Sequence, residues 1–263
     1  MNKYFCSLPW VHSRLDRSNG DAASTGVSVC CKFNYELWDQ VNPDNGILSG
    51  ITTAMNTAPF RSIRQNMLDG KRVDGCIDCY EDERISGESM RTSSNAAYPI
   101  GDLELTTDYL HTKFIEISLD NTCNLECKMC SSFHSTKLRR RDLLLEGLDL
   151  DRVEYIKFVG GEPLLSRNHL PFLKKFPDPS RLSLLYNTNA TVIPEGETQQ
   201  LMASAKELNF IISCDGIYKY NDYQRWGSDF ETIIRNGLKI RDSFDNIKWF
   251  TFLNTFTLLN LNA

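Results

Sequence analysis

Three cysteines within eight residues give the sequence its clearest chemical signal. Cys123, Cys127 and Cys130 form a C-x3-C-x2-C segment shortly after an apolar run. Cysteine thiolates are the standard ligands of iron–sulfur clusters. Three protein ligands leave one metal position open, as a catalytic site requires, whereas a structural site is closed by four. The spacing therefore predicts a cluster with one open iron. The alternative is a zinc site to which His134 contributes the fourth ligand.

A Gly-Gly turn is the second candidate for binding. Gly160, Gly161 and Glu162 follow the apolar run that ends at Val159. Glycine lets a backbone approach a ligand closely, and the ligands of parallel α/β sheets bind at the carboxyl ends of the strands. These three residues are therefore predicted to contact a ligand, while an ordinary tight turn is the alternative.

Polar side chains follow the next two apolar runs. Asn189 ends the first of them, Ser213 and Asp215 lie at the end of the second, and Arg225 comes soon after. Hydroxyls and carboxylates can bind the hydroxyl groups of a ligand, and a guanidinium pairs with a carboxylate in a bidentate way. Each of these residues alone is equally typical of a turn, a helix cap or the surface. If side chains alternate along the strand, Cys214 points to the opposite face from Ser213 and Asp215 and is predicted to be buried.

The elements that must position these residues alternate between strands and helices from residue 113 onward. Strands are predicted over 114–119, 155–159, 182–186, 210–214 and 247–253, and helices over 135–146, 170–176, 197–208 and 229–242. Such alternation predicts a parallel sheet with right-handed crossovers, so an α/β layered or barrel fold. The candidate residues then meet at the carboxyl ends of the strands.

A second group of cysteines lies in residues 1–100, where one helix is predicted over 60–68 and a connector over 93–102. Cys76 and Cys79 form a CxxC pair that can supply two ligands from one turn. Cys6 and one of the adjacent Cys30 and Cys31 can complete a set of four. Four protein ligands suit a closed site, which holds either zinc or a second cluster.

Composition restricts the class of protein. The 263 residues carry a formal net charge of −5 and are 41% hydrophobic, which suits one or two globular domains. Mild acidity favours neither nucleic acid nor an anionic membrane as a partner, and the basic run at 137–141 reads as a solvated helix face. The sequence has neither a signal peptide nor an 18-residue apolar stretch. We therefore expect a cytoplasmic protein. Its nine cysteines, odd in number and closely spaced in groups, point to metal binding instead of disulfides.

The cysteine loop together with the Gly-Gly-Glu-Pro turn resembles the radical S-adenosylmethionine (SAM) superfamily. The resemblance implies a partial (β/α) barrel and a [4Fe–4S] cluster whose open iron binds SAM. It also implies reductive cleavage of SAM by an electron donor, and a 5′-deoxyadenosyl radical that removes a hydrogen from a substrate. The chain departs from the common pattern at Met129, where many members have an aromatic residue, and at Ala190, where relatives have glycine.

The resemblance also assigns roles to the strand-end residues. It implies that the backbone around Gly160–Glu162 binds the SAM ammonium group and that Ser213 and Asp215 bind its ribose. Arg225 falls where relatives carry an arginine that can pair with the SAM carboxylate. Asn189 occupies the position of a Thr-Asn-Gly motif.

Residues 1–100 resemble the cysteine-rich SPASM and twitch extensions of radical SAM enzymes, which hold auxiliary [4Fe–4S] clusters. The arrangement at the N-terminus is similar to that of a group of phage-encoded radical SAM proteins. The G-x4-C spacing from Gly26 implies Cys31 as a ligand together with Cys6, Cys76 and Cys79. Many relatives act on peptides or proteins, so the resemblance adds a peptide or protein as an expected substrate class.

The expected organisation is an auxiliary metal region over 1–100 and a radical SAM partial barrel over 110–263. Five barrel strands are predicted and a sixth is missing, so we expect a barrel that is truncated at its C-terminus. Two alternatives stay open at this point. One is a non-catalytic iron–sulfur or zinc protein, acting as an electron carrier or interaction module, and the other is an incomplete chain that needs a partner.

Overall fold

The computed structural model describes residues 2–17, 25–34, 50–131 and 147–255. The helices in these ranges are α1 Leu8–Val11, α2 Ile51–Met55, α3 Ala58–Leu68, α4 Ile77–Ser86, α5 Met90–Ala97, α6 His169–Leu173, α7 Gly196–Ala203, α8 Lys219–Gln224 and α9 Phe230–Asp242. The strands are β1 His12–Arg17, β2 Thr25–Ser28, β3 Phe114–Ser118, β4 Glu126–Cys127, β5 Tyr155–Val159, β6 Ser183–Thr188, β7 Glu207–Ser213, β8 Arg225–Trp226 and β9 Ile247–Leu253. The predicted helix over 135–146, the basic run at 137–141 and His134 lie outside the described residues.

The fold is mixed α/β with a mainly parallel sheet of seven strands, in the order β2-β1-β3-β5-β6-β7-β9. β5, β6, β7 and β9 pair in parallel, each with the next, while β1 and β2 form an antiparallel pair. β4 and β8 form a separate antiparallel ribbon. The predicted α/β class with a parallel sheet is confirmed, and the partial barrel stays a prediction.

All five predicted strands are present as short apolar runs. β3, β5, β6 and β7 contribute buried residues to the core, as is typical of a parallel sheet, whereas β9 is half-buried to exposed. The helix predicted over 197–208 is wrong at its end. α7 stops at Ala203, and β7 begins at Glu207. Leu208, Asn209, Phe210 and Ile212 are buried while Glu207 and Ile211 are half-buried, so the middle of the strand is buried on both faces, as is typical inside a parallel sheet.

The chain divides into two compact units, of which the first comprises Met1–Glu116 and Leu144–Val153. It contains α1 to α5 and the β1–β2 pair. The connector predicted over 93–102 is wrong over its first half, because α5 runs to Ala97. A capping box formed by Ser89 and Thr92 begins this helix. The predicted helix over 60–68 is confirmed as α3.

A buried arginine holds part of the first unit together. The Arg64 side chain is fully buried and donates hydrogen bonds to the carbonyl oxygens of Thr107 at 2.6 Å and Met55 at 2.8 Å, and to that of Pro9 at 3.3 Å. Burial lowers the Arg64 pKa to about 10. Carbonyl acceptors therefore satisfy this cation in place of a carboxylate.

The second unit comprises Ile117–Leu143 and Glu154–Ala263. Its core contains a row of rings from three adjacent strands, in which Phe158 stacks on Tyr186 at 4.8 Å and Tyr186 on Phe210 at 5.4 Å between ring centroids. Each such pair adds about 0.5–1.5 kcal/mol to the burial of its surface. The row fixes the register of the strands whose carboxyl ends carry the candidate residues.

None of the helices in the described ranges has the length and apolar character that a membrane crossing requires.

Candidate functional site

The three cysteines of the second unit lie on one loop that is held at both ends. Cys127 belongs to β4 and pairs with Arg225 of β8. The next residue, Lys128, donates its backbone N–H to the Gln224 carbonyl at 2.7 Å, and Cys130 donates its own to the Cys127 carbonyl at 3.0 Å. All three cysteines are half-buried. The loop therefore presents the three thiols from a fixed turn, and each of them is partly exposed to solvent.

The thiols affect one another electrostatically. Burial raises the pKa of Cys127 to about 11, the positive charge of Arg225 opposes this rise, and the charges of Cys123 and Cys130 add to it. Burial likewise raises the pKa of Cys123, which the backbone N–H of Leu125 opposes from 3.5 Å. Burial thus disfavours the thiolate form that a metal ligand needs, and metal binding to such thiols would release their protons.

The Gly-Gly turn packs directly on the cysteine loop. Gly160 has a φ of +112°, and a Cβ on this residue would overlap the Ser118 hydroxyl. A Cβ on Gly161 would overlap the backbone of Asn121 and Thr122. Both positions thus need glycine because the two backbones touch.

The Glu162 side chain connects this turn to the end of β6. Its backbone N–H donates to the Thr122 carbonyl at 2.6 Å. Its carboxylate accepts hydrogen bonds from the Asn189 backbone N–H at 2.6 Å, the Thr188 hydroxyl at 2.7 Å and the Leu164 backbone N–H at 3.1 Å. Burial raises the Glu162 pKa, and these three donors oppose the rise. The side chain therefore positions the strand end, while sequence reasoning considered only the backbone here.

Asn189 lies beside the cysteine loop, as the sequence predicts for a strand-end residue. Its amide Nδ2 is 3.8 Å from Cys123 Sγ and 3.2 Å from Asn124 Oδ1. The next residue, Ala190, has a φ of +52°, a left-handed conformation that favours glycine. This left-handed conformation explains why relatives have glycine at this position. Ala190 adopts the same conformation at some cost in strain.

Asp215 and Arg225 contact each other. Arg225 Nε lies 2.7 Å from Asp215 Oδ2, and the Thr255 backbone N–H donates to Asp215 Oδ1 at 2.7 Å. The Asp215 side chain is fully buried, and Ser213 is half-buried opposite Leu253. The predicted contacts of Ser213, Asp215 and Arg225 with SAM stay predictions.

Three positioning residues escaped sequence reasoning. Asp120 accepts from the Thr122 backbone N–H at 2.8 Å and from the Ser166 hydroxyl at 2.5 Å. Asn221 accepts from the Asp215 backbone N–H at 3.0 Å, and Gln224 donates to the Asp215 carbonyl at 2.7 Å. Asp120 could have been found, because it follows β3 directly, whereas nothing local marks the other two.

Cys214 does not fit its predicted burial, because it is half-buried and its sulfur contacts the Gly216 carbonyl oxygen at 3.2 Å.

Four cysteines of the first unit also influence one another. Burial raises the pKa of Cys30, and the charges of Cys6 and Cys76 raise it further. Burial raises the pKa of Cys6 to about 12, and the charge of Cys79 adds to the rise. Cys31 is exposed, and its sulfur lies 3.6 Å from Met90 Sδ. The first unit therefore places Cys30 near Cys6 and Cys76, which are in turn near Cys79, although the spacing implied Cys31 as the ligand.

Among the described residues, no group of three or more His, Cys, Asp or Glu side chains is arranged to hold a single metal ion. Cysteine thiolates are ligands both of structural zinc and of iron–sulfur clusters. The donor chemistry of both cysteine sets fits a cluster.

Two buried polar atoms also suit a bound cofactor. Asn187 Oδ1, on the strand that leads to Asn189, has no hydrogen-bond partner in the part of the chain that the structure describes. The same holds for Ser7 Oγ, next to Cys6 in the first unit. Buried polar atoms are almost always satisfied in proteins, so both atoms fit sites that receive a further polar group.

No family model matches the chain. Curated relatives with similar sequences include GTP 3′,8-cyclases. That of Geobacter sulfurreducens is 28% identical over 114 residues, which cover 40% of this chain and 34% of the relative. That of Agrobacterium fabrum is 23% identical over 146 residues, which cover 49% of this chain and 42% of the relative. Molybdenum cofactor biosynthesis protein 1 of Dictyostelium discoideum is 27% identical over 151 residues, which cover 52% of this chain and 23% of that protein.

The chain thus spans less than half the length of these relatives. The distant similarity in sequence is to radical SAM enzymes.

Solved structures with some likeness include two that contain SAM. SuiB of Streptococcus suis bound to S-adenosylmethionine gives a TM-score of 0.43 at 14% identity, over 80% of this chain and 50% of that one. Native anSMEcpe with bound AdoMet gives a TM-score of 0.39 at 17% identity, over 54% of this chain and 43% of that one. Both scores lie below the level that indicates a shared fold.

Proposed function

We propose that this chain is a radical SAM enzyme that binds a [4Fe–4S] cluster through Cys123, Cys127 and Cys130. The observation that supports this most is the contact between the three-cysteine loop and the Gly-Gly turn. Three half-buried thiols lie on a loop whose backbone touches Gly161 so closely that no side chain fits between them. Such a loop would hold a cluster through three thiolates, and three protein ligands would leave one iron free to bind SAM.

The proposed cofactor supplies the chemistry, and the protein positions and protects it. When bound, the reduced cluster and SAM provide a 5′-deoxyadenosyl radical that abstracts a hydrogen atom from the substrate. The chain itself holds the cluster with its three thiolates. The positive charge of Arg225, opposite Cys127 in the β4–β8 ribbon, favours the thiolate form of that cysteine.

The strand ends are proposed to bind SAM. Carbonyl groups around Gly160–Glu162 accept hydrogen bonds from its ammonium group, because glycine leaves the backbone accessible. Asn189, beside Cys123, offers an amide to a neighbouring polar group. Ser213 and Asp215 are proposed to contact the ribose, and Arg225 the carboxylate. For Asp215 and Arg225 this requires that their mutual ion pair opens or is shared with SAM.

A second metal centre is proposed in the first unit, formed by Cys6, Cys76, Cys79 and one of Cys30 and Cys31. In this proposal the auxiliary region covers residues 1–100 and the radical SAM region residues 110–263. A second [4Fe–4S] cluster is proposed, with zinc as the alternative, because four cysteine thiolates can hold either. Solved structures of SuiB and anSMEcpe include complexes with peptides. A peptide or protein substrate for this chain is a proposal that rests on the resemblance alone.

The test is anaerobic reconstitution of the full chain with iron and sulfide, followed by reduction with dithionite in the presence of SAM. We expect about eight irons per chain if both sites hold cubanes, and we expect 5′-deoxyadenosine as a product. Cys127→Ala should abolish cleavage because the cluster loses one of its three ligands. The matched control Cys214→Ala removes a half-buried cysteine of the same unit that lies off the loop, and it should still cleave SAM.

Fully assembled clusters without deoxyadenosine would overturn the proposal in favour of the non-catalytic iron–sulfur protein. Cleavage by Cys127→Ala at the wild-type rate would overturn the assigned ligands.

A further inference from the structure

We infer that the second metal centre is closed by Cys30 and not by its neighbour Cys31, so that four cysteine sulfurs leave no iron open to a substrate. This inference rests on the proposed second centre and names its fourth ligand. A closed centre can transfer electrons or stabilise the fold, but it cannot bind a substrate directly.

The CxxC pair provides the frame. Cys76 precedes α4, and Cys79 lies in its first turn. Residues three apart face the same side of a helical turn. Cys79 is buried and Cys76 is half-buried. The pair therefore presents two sulfurs to the interior of the first unit.

The segment that carries Cys30 is fixed against this pair by Phe33. The Phe33 ring is buried against Gly75, where a Cβ would overlap three carbons of the ring. Asn34 also donates its backbone N–H to the Gly75 carbonyl at 2.8 Å. Because Gly75 directly precedes Cys76, this contact brings Cys30 to the CxxC pair.

Packing separates the two adjacent cysteines. The charges of Cys6 and Cys76 act on Cys30, where burial is the first cause of a raised pKa. Cys31 is exposed, with its sulfur directed at Met90. Cys30 is therefore the more buried of the two cysteines, and it is the one on which Cys6 and Cys76 act.

Cys6 is brought to the same place by α5. Arg91 donates to the Phe5 carbonyl at 2.8 Å and to the Lys3 carbonyl at 3.0 Å. Asn95 donates to the Phe5 carbonyl at 3.0 Å and accepts from the Ser7 backbone N–H at 2.8 Å. Cys6, between these anchored residues, is buried.

Two cations held by α4 accompany the four sulfurs. Glu83 binds the Arg91 guanidinium through both carboxylate oxygens, one of them 2.9 Å from Nε, and Asp82 binds the Lys32 ammonium. The Arg91 backbone N–H and the Lys32 charge both oppose the rise that burial causes in the Cys79 pKa. Four thiolates concentrate negative charge, and cations oriented in this way offset it.

The test removes the SAM-binding ligands first, so that one centre remains. In the full chain carrying Cys123→Ala, Cys127→Ala and Cys130→Ala, anaerobic reconstitution should leave about four irons, or one zinc. On that background, Cys30→Ala should either lose this metal or give a cluster whose EPR spectrum, recorded after one-electron reduction with dithionite, changes on addition of cyanide, a ligand for an open iron. Cys31→Ala should retain the metal and give a spectrum that cyanide does not change.

Alkylation of the reconstituted wild-type chain provides a measurement that does not depend on a variant's folding. With iodoacetamide and mass spectrometry, Cys31 should be labelled while Cys30 is protected until a chelator removes the metal. Loss of metal in Cys31→Ala but not in Cys30→Ala, or protection of Cys31 with labelling of Cys30, would overturn the inference. A triple variant that binds no metal would overturn both the inference and the second centre. The SAM-cleavage assay with Cys127→Ala would still decide the proposed function separately.

Discussion

At the scale of residues, the Glu162 carboxylate shows how one side chain controls two parts of the candidate site. It is almost fully buried and accepts three hydrogen bonds, two of them from the end of β6. Its own backbone N–H meanwhile holds the cysteine loop at Thr122. A buried carboxylate that has only donors around it depends on remaining an acceptor at both oxygens.

Glu162→Gln should lower the free energy of unfolding by about 1–3 kcal/mol, because the new amide group points its donors at other donors. It should also weaken SAM binding, since Asn189 loses the partner of its backbone N–H. Chemical denaturation and calorimetric titration with SAM measure the two effects.

The matched control is Glu197→Gln, because Glu197 is half-exposed and pairs with Lys174 at 2.8 Å. This control should change the free energy of unfolding by less than about 1 kcal/mol. Equal losses in both variants would contradict the role given to Glu162.

At the scale of elements, α6 is joined to β6 by a polar contact within an aromatic core. His169 on α6 lies 2.9 Å from the Tyr186 hydroxyl on β6 through its Nε2, and its ring packs edge-on against Phe158 of β5. Burial lowers the His169 pKa to about 4. The helix is therefore held to the sheet by a histidine that stays neutral when the protein is folded.

The free energy of unfolding should fall as the pH decreases from about 6.5 to about 4. Over this range the unfolded chain, with a histidine pKa near 6.5, takes up a proton that the folded chain does not. The loss due to His169 should reach about 3 kcal/mol. His169→Gln keeps a hydrogen-bonding group but does not titrate, so its stability should depend less on pH in this range. Denaturation of both proteins at several pH values measures the difference, and parallel pH curves would contradict it.

At the scale of the whole molecule, each compact unit contains its own set of cysteines. Cys6, Cys30, Cys76 and Cys79 belong to the first unit, while Cys123, Cys127 and Cys130 belong to the second. In the first unit the cysteines come from chain segments that are far apart in sequence, so a metal centre there would join those segments. Metal binding that joins distant segments contributes directly to folding.

Cys79→Ala in the reconstituted protein should therefore reduce hydrogen-exchange protection mainly in residues 2–17, 25–34 and 50–116. Protection in residues 154–255 should remain close to that of the wild type. Cys127→Ala is the matched control and should show the reverse, with losses around the loop of residues 120–131. SAM cleavage should persist at least in part in Cys79→Ala. A similar loss of protection in both units by either variant would contradict independent centres.

Local patterns in the sequence determined much of the fold and the centre of the candidate site. Apolar runs predicted β3, β5, β6 and β7, because burial in a parallel sheet selects short continuous apolar segments. β9 was also predicted from its apolar run, although its residues are half-buried to exposed. The C-x3-C-x2-C spacing and the Gly-Gly turn marked the loop and the turn that meet, since both motifs are contained in a few residues. The start of β7 was misjudged where a helical and a strand-like spacing of apolar residues overlap.

The tertiary structure alone decided contacts between residues far apart in the chain. Cys30 and Cys31 are chemically identical neighbours on a segment that Phe33 packs against Gly75, and only the folded chain makes Cys30 the more buried and leaves Cys31 exposed. Likewise, Asp215 and Arg225 each suited a ligand when considered singly, yet they lie 2.7 Å apart in the folded chain. Spacing along a chain specifies which groups one turn or strand presents together. Which segments meet, and which side chains then satisfy one another, depends on packing across the whole unit.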